Sequence, residues 1–123
     1  MRFYINSVEE MRLTATGNLH VDQNIYAYST TTASDIKLKD NVETIESALS
    51  LVEDMRGVTW NWKKDGAKCA GVIAQEIQPI FPVVVKENTD EDKTLSVSYG
   101  NMVGILIEAI KEQQKQIEEL KNN

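Results

Sequence analysis

A serine and two lysines lie within six residues of the segment "TTTASDIKLKDN", residues 30–41. A serine hydroxyl is a weak nucleophile that needs a base, and in Ser-Lys hydrolases a neutral lysine amine is that base. Ser34 is therefore a candidate nucleophile, and Lys37 and Lys39 are candidate bases. The same residue types also fit a capped turn followed by solvated charges, which is the more common arrangement. Residue types alone leave both interpretations open.

The spacing of the two lysines restricts how either can act. Lys37 and Lys39 follow Ser34 by three and five residues, so in a strand both would lie on the face opposite to Ser34. In a helix, residues five apart are not neighbours on one face. Lys39 reaches Ser34 only if the chain turns around Asp35 and Ile36.

Other catalytic and metal-binding patterns are missing from the sequence. Cys69 is the only cysteine and His20 the only histidine, so the chain has neither a zinc cluster nor a disulfide framework. We expect Cys69 to be a small buried apolar residue and His20 to be a strand residue. Nothing singles out a carboxylate pair among the acidic residues. No metal and no cofactor is expected.

The composition excludes several classes of partner. A chain of 123 residues with 41% hydrophobic content can bury one modest core. The formal net charge of -6 argues against nucleic-acid binding and gives no support for binding to anionic membranes. No stretch approaches the roughly 20 apolar residues of a membrane span, and the N-terminus does not resemble a signal peptide. The cytosol is the default compartment.

The two parts of the chain differ in their pattern of polar and apolar residues. Residues 1–33 alternate loosely between polar and apolar residues, with Gly17-Asn18 as a turn, which predicts short strands. The segment has few large apolar residues, and a lone short hairpin is only marginally stable in water. We interpret it as the end of something longer that needs other copies or other segments as partners.

From residue 40 onward the pattern indicates a small mixed α/β domain. A helix is predicted from Asp40 or Asn41 to Gly57, with apolar residues at Val42, Ile45, Leu49, Val52 and Met55. A β-hairpin follows with Asp65-Gly66 as its turn. A short helix precedes the two prolines, and two further strands flank an acidic, exposed loop, residues 88–93.

The C-terminal segment carries a heptad repeat. We call its positions the heptad seam: Tyr99, Val103, Leu106, Ile110, Gln113, Ile117 and Leu120. Alternating spacings of four and three predict a coiled coil over about residues 101–121. We expect its first half to pack on its own domain. The second half has two apolar seam residues only, which favours self-association, and Gln113 resembles the polar core residues that set register.

Four motifs resemble the C-terminal intramolecular chaperone domain of phage tail spikes, tail fibres and endosialidases. "SDIKLKDNV" is similar to that family's "SDxRLKxxI", and "VTWNWKKDG" to its aromatic hairpin. "AGVIAQEIQPIFPVVV" is similar to "GxIAQEVxxxxPE.V", and "LSVSYGNMVGILIEAIKEQQKQIEEL" to the "VDYxxLxxLLxEAIKEL" ending. The departures are Lys37, where arginine is common, and Val83, where glutamate is usual.

The resemblance implies an α+β, homotrimeric fold. Residues 1–33 would be the end of an intertwined, triple β-helical fibre stem. Residues 34–123 would be the chaperone and auto-processing domain with its coiled coil. The partners implied are the two other copies and the preceding fibre chain, which is both folding client and substrate. Assembly would take place in the host cytoplasm, with the fibre going to the virion tail and the chaperone being released.

The resemblance also assigns the site. The family cleaves before the signature serine, here between Ala33 and Ser34, with Ser34 as nucleophile and Lys39 as base. The enzyme would be a self-cleaving serine endopeptidase that acts once and in cis. Asp35, Gln75 and Glu76 are candidates for supporting roles. The alternative hypotheses are a non-catalytic trimerisation and attachment domain of a fibre and an unrelated α+β hydrolase.

Overall fold

A computed structural model describes residues 1–89 and 92–123, which fall into two compact units, Met1–Asn41 and Val42–Asn123. The chain combines small antiparallel sheets with short helices and one long C-terminal helix, which confirms the prediction of a mixed α and β fold. Among the described residues, no helix is long and apolar enough to cross a membrane.

The first unit is a three-stranded antiparallel sheet. Its strands are Arg2–Ile5 (β1), Val8–Leu13 (β2) and Leu19–Val21 (β3), in the order β1-β2-β3. Leu13 pairs with Leu19, and Gly17 between them has a φ of 87°, a left-handed conformation that favours glycine. The turn predicted at Gly17-Asn18 is therefore confirmed.

The first unit lacks a core of its own. None of its side chains, all of which the structure describes, is buried. Its large apolar residues remain substantially exposed: Phe3, Tyr4, Ile5, Val8, Leu13 and Leu19. A small sheet that leaves such residues in water gains little of the apolar burial that stabilises folded chains. The expectation of a segment that cannot be stable by itself agrees with this exposure.

The second unit contains two hairpins and three helices among its described residues. Its elements are Ala48–Glu53 (α1), Val58–Asn61 (β4), Lys68–Gly71 (β5), Ala74–Ile77 (α2), Val85–Glu87 (β6), Leu95–Val97 (β7) and Val103–Lys121 (α3). Strand β4 pairs with β5, and β6 with β7, as the sequence predicts. The predicted acidic loop, residues 88–93, lies between β6 and β7, but Asp90 and Glu91 lie outside the described residues.

The core of the second unit is small and lies largely beneath α3. Six of the unit's described residues are buried: Ala48, Ile77, Val84, Met102, Ile105 and Ala109. Three of them, Met102, Ile105 and Ala109, come from one face at the start of α3. The prediction that the first half of the C-terminal helix packs on its own domain is confirmed.

The helix predicted from Asp40 or Asn41 to Gly57 is wrong in its length. Helix α1 begins only at Ala48 and ends at Glu53. Asn41 and Ser47 have left-handed φ values of 54° and 55°, which interrupt any helix across them. The apolar spacing was nevertheless informative, because Ile45, Leu49, Val52 and Met55 do pack against the core.

The side chain of Glu112, which is distant in sequence, caps the start of α1. The Glu112 carboxylate of α3 accepts hydrogen bonds from the Ala48 and Leu49 N–H groups, each at 3.0 Å. These N–H groups belong to the first turn of a helix, where no intrahelical acceptor exists. Glu112 thus does the work of an N-cap from another element and joins α1 to α3.

Tyr99 connects the start of the C-terminal segment to the end of β5. Its hydroxyl accepts a hydrogen bond from the Val72 N–H at 3.1 Å and donates one to the Val72 carbonyl at 3.3 Å. A Cβ at Gly71 would overlap this hydroxyl. The glycine of the "GVIAQE" motif is therefore required by the position of the Tyr99 hydroxyl.

An exposed ion pair joins the segment after α1 to α2. Arg56 Nε donates to Glu76 Oε1 at 2.7 Å, and Arg56 Nη2 donates to Glu76 Oε2 at 2.8 Å. The hydrogen bonds from Arg56 hold the pKa of Glu76 below its usual value, and those to Glu76 raise the pKa of Arg56. Since the pair is exposed, its contribution to stability is small.

We expect Glu112→Ala to lower the free energy of unfolding by about 1–2 kcal/mol, because two N–H groups at the start of α1 lose a charged acceptor. Glu112→Gln should lose less, since the amide oxygen still accepts. Urea unfolding followed by circular dichroism measures both. Glu119→Ala, on the exposed part of the same helix, is the matched control. Equal stability of the Glu112→Ala and Glu119→Ala chains would contradict the capping role.

We also expect a pH-dependent effect of Glu76→Gln. The pKa of Glu76 is lowered on folding, so its contribution is present above the unfolded pKa, near 4.5, and is lost as the pH falls through the folded pKa. The variant should be slightly less stable than the wild type at pH 7, and the difference should vanish at a pH below the folded pKa of Glu76. Urea unfolding at both pH values tests this, with the exposed Glu87→Gln as control. A stability difference that persists at the lower pH would show that the ion pair is not its cause.

Candidate functional site

Ser34 and Lys39 are in direct contact. Lys39 Nζ lies 2.6 Å from Ser34 Oγ, within the reach of about 2.6–3.2 Å that a nucleophile and its general base require. Both side chains are exposed. In the ammonium form Nζ donates to Oγ, and in the neutral form the same contact lets Nζ take the hydroxyl proton. The geometry is that of a nucleophile and base.

A single 3-10 turn over Ile36–Leu38 brings the two side chains together. The Lys39 N–H donates to the Ile36 carbonyl at 3.1 Å, after which Lys39 returns to an extended backbone. This is the turn that the spacing argument requires near Asp35 and Ile36. It brings the fifth residue after Ser34 to the serine hydroxyl.

Lys37 takes a different place in the turn. Its backbone N–H donates to the Asp35 carboxylate, Oδ1, at 2.8 Å, and its side chain is exposed. The short contact to Ser34 comes from Lys39. Of the two candidate lysines, geometry therefore favours Lys39.

The peptide bond between Ala33 and Ser34 lies in an accessible segment. From Asp22 to Asp40 every residue is described and exposed. No helix or strand occurs between the end of β3 and the turn at Ile36–Leu38. A bond in exposed backbone outside helices and strands is one whose carbonyl can be approached by a neighbouring hydroxyl.

The two other candidate residues lie on α2, in the second unit. Glu76 is engaged by Arg56, as described above. Gln75 is exposed and borders an apolar cleft of about 510 Å³, whose lining includes the side chains of Trp60, Trp62 and Tyr99. Ser34 and Lys39 belong to the first unit, so a supporting role for Gln75 and Glu76 stays a prediction.

The heptad seam is exposed along its whole length. Its apolar members are exposed by 41% to 74%: Tyr99, Val103, Leu106, Ile110, Ile117 and Leu120. Gln113 is exposed as well. Tyr99 precedes α3 and lies in a 3-10 turn, while the other seam residues are within the helix. The single chain does not cover this stripe.

Sequence reasoning missed two structural residues. Arg56 holds Glu76 across 20 positions of sequence, and Glu112 holds α1 across more than 60. Neither pairing has a short-range pattern that would reveal it. Among the described residues, no group of histidine, cysteine and acidic side chains is placed to hold a metal ion.

Comparison with known proteins shows that part of the chain matches a described family. Residues 34–86 match the model of the Peptidase_S74 family, described as chaperone of endosialidase. The match begins at Ser34 and also includes Lys39, Gln75 and Glu76. The candidate nucleophile is thus the first residue of the matched domain.

Curated relatives are long tail fiber proteins, all named Gp37. The chain is 35% identical to that of Enterobacteria phage T2 and 33% identical to that of Enterobacteria phage K3, each over 97% of its length. It is 28% identical to that of Salmonella phage S16 over 89% of its length. The chain spans 9%, 10% and 16% of these three relatives. Residues 34–86 therefore match the chaperone of endosialidase family, and the chain as a whole is similar to a short part of these long tail fiber proteins.

Proposed function

We propose that this chain assists the folding and trimerisation of a phage tail fibre and then releases itself by cutting between Ala33 and Ser34. The observation that carries the proposal is the 2.6 Å contact between Lys39 Nζ and Ser34 Oγ. It occurs at the first residue of the match to a family named for both a chaperone and a peptidase.

The proposed reaction begins with an N-to-O acyl shift. Lys39 Nζ takes the hydroxyl proton while Ser34 Oγ attacks the carbonyl carbon of Ala33 through a five-membered ring. The C–N bond between Ala33 and Ser34 then breaks, and the proton passes to the departing nitrogen, which becomes the α-amine of Ser34. The Ala33 acyl group is left as an ester on Oγ.

Water completes the cut. Attack of water on the ester carbonyl releases the Ala33 carboxylate and restores the Ser34 hydroxyl. The products are a chain ending at Ala33 and a domain beginning Ser34-Asp35. Gln75 and Glu76 lie within the family match and stay candidates for a supporting role, the alternative being that they cap and stabilise their own turn.

The proposal of a homotrimer draws support from two uncovered surfaces. The heptad seam runs beside the buried face of α3, one residue or about 100° around the helix from Met102, Ile105 and Ala109. The first unit likewise exposes the apolar side chains of its sheet. Both surfaces suit contact with identical copies, in a coiled coil and in an intertwined stem.

The proposed client is the fibre chain that precedes residue 34, since the curated relatives are long tail fiber proteins. We propose that assembly takes place in the host cytoplasm. The fibre part then goes to the virion tail, and the chaperone domain is released by the cut.

We expect Ser34→Ala to abolish cleavage and Lys39→Ala to slow it by on the order of 10²–10⁴-fold, the usual contribution of a general base. Because the nucleophile and the base act as a unit, losing either should cost nearly as much as losing both. Lys37→Ala is the matched control and should cleave like the wild type. Intact-mass spectrometry over a long incubation measures all three.

The cleavage products identify the bond. The new N-terminus should read Ser34-Asp35. Cleavage at another bond, or continued cleavage of the Ser34→Ala chain, would reject the proposed mechanism. A wild-type chain that stays whole would favour the alternative, a non-catalytic trimerisation and attachment domain.

We expect the chain to sediment as a trimer at micromolar concentration and the double variant Ile110→Asp, Ile117→Asp to sediment as a monomer. Aspartate at these positions would put unpaired charges into the seam, which strongly opposes association. Gln116→Asp, an exposed change outside the seam on the same helix, is the matched control and should stay trimeric. A monomeric wild type in sedimentation equilibrium would reject the proposed trimer.

A further inference from the structure

The turn that presents Lys39 to Ser34 is not held by packing. Ile36 and Leu38, the apolar residues of the turn, are 67% and 72% exposed, and no residue of the turn is buried. Apolar burial therefore contributes little to keeping this segment folded. Ordering it costs backbone and side-chain entropy, which local hydrogen bonds have to offset.

Asp35 supplies the acceptor for two of the hydrogen bonds that define the turn. Its side-chain oxygen Oδ1 accepts from the Lys37 N–H at 2.8 Å, and its backbone carbonyl accepts from the Leu38 N–H at 3.0 Å. A third bond runs from the Lys39 N–H to the Ile36 carbonyl at 3.1 Å. Of the three, only the bond to Oδ1 depends on the identity of a side chain.

We propose that Asp35 is the positioning residue of the self-cleavage reaction. Its Oδ1 caps the turn over Ile36–Leu38 and so holds Lys39 Nζ against Ser34 Oγ. Aspartate accepting a hydrogen bond from the backbone two residues later is a known way to stabilise a tight turn. This inference rests on the proposed function and gives a defined role to a residue whose side chain bonds to the backbone of the turn.

The useful property of Asp35 is its acceptor oxygen and not its charge. Asparagine places a neutral oxygen at the same position and can form the same turn.

Two variants distinguish the effect of the acceptor oxygen on cleavage from the effect of the charge. Asp35→Asn and Asp35→Ala both remove the charge, and only the first keeps an oxygen at the position of Oδ1. In the full chain, followed by intact mass, we expect Asp35→Asn to cleave within about twofold of the wild-type rate. Asp35→Ala should be about five- to tenfold slower, the population loss that follows from removing a cap.

A measurement that needs no cleavage tests the turn itself. In the uncleavable Ser34→Ala chain, hydrogen exchange of the Lys37 amide is followed by NMR. Adding Asp35→Ala should speed this exchange several-fold, because the amide loses its acceptor. Adding Asp35→Asn should leave it unchanged.

The outcomes distinguish this inference from the function on which it rests. Wild-type cleavage by Asp35→Ala, or unchanged Lys37 exchange in that variant, overturns the positioning role while Ser34 and Lys39 keep theirs. Cleavage by Asp35→Asn as slow as that of Asp35→Ala also overturns it, because the charge would then be what matters. Continued cleavage of the Ser34→Ala chain rejects the proposed function, and the inference with it.

Discussion

Two hydrogen bonds from the first N–H groups of α1 to the Glu112 carboxylate join α1 to α3 in the second unit. Glu112 lies on the same face of the helix as the buried residues Met102, Ile105 and Ala109, so the bonds and the core act on one face of α3. When this face of α3 packs on the core, the residues one position further along the helix point about 100° away from it. The stripe that results is the heptad seam, whose apolar residues remain in solvent. The inward face of α3 thus carries both the core residues and Glu112, while the adjacent face carries the exposed stripe.

The segment that carries Ser34 and Lys39 is stabilised by local hydrogen bonds and not by burial. Ser34 and Lys39 sit on a turn that owes its shape to hydrogen bonds within six residues, with no buried side chain. Such a segment is at once the proposed catalyst and the proposed substrate, so it has to be both ordered and accessible. Local hydrogen bonding meets the two requirements together, whereas burial would have shielded the bond between Ala33 and Ser34.

Periodicity and turn chemistry were sufficient to predict much of the fold. The hairpin turn at Asp65-Gly66 and the turn at Gly17-Asn18 follow from patterns a few residues long, and the long C-terminal helix follows from a repeated spacing of four and three residues. The spacing of Ser34 and Lys39 likewise required a turn before the two could meet. These features are local, and local sequence determines them.

Long-range contacts set the limits of this reasoning. Helix α1 begins where Glu112 accepts the hydrogen bond of the Ala48 N–H group. No residue near Asp40 indicates that the helix starts only at Ala48. The pairing of Arg56 with Glu76 could not be predicted from the sequence either, because the two residues meet only in the folded chain. Motifs thus identified Glu76 as a candidate, but only the structure identified the group that holds it.

The Tyr99 hydroxyl fills the space that a side chain at position 71 would need. Position 71 is therefore sterically coupled to Tyr99, although 27 residues separate Val72, next to the glycine, from the tyrosine. Loss of the hydroxyl alone would not make room for a side chain, since a Cβ would still lie 2.9 Å from the Tyr99 ring carbon Cζ and 3.1 Å from the Trp60 ring. The backbone φ of 157° at Gly71 also favours glycine, so the end of β5 accepts a larger residue only if both aromatic rings and the backbone move.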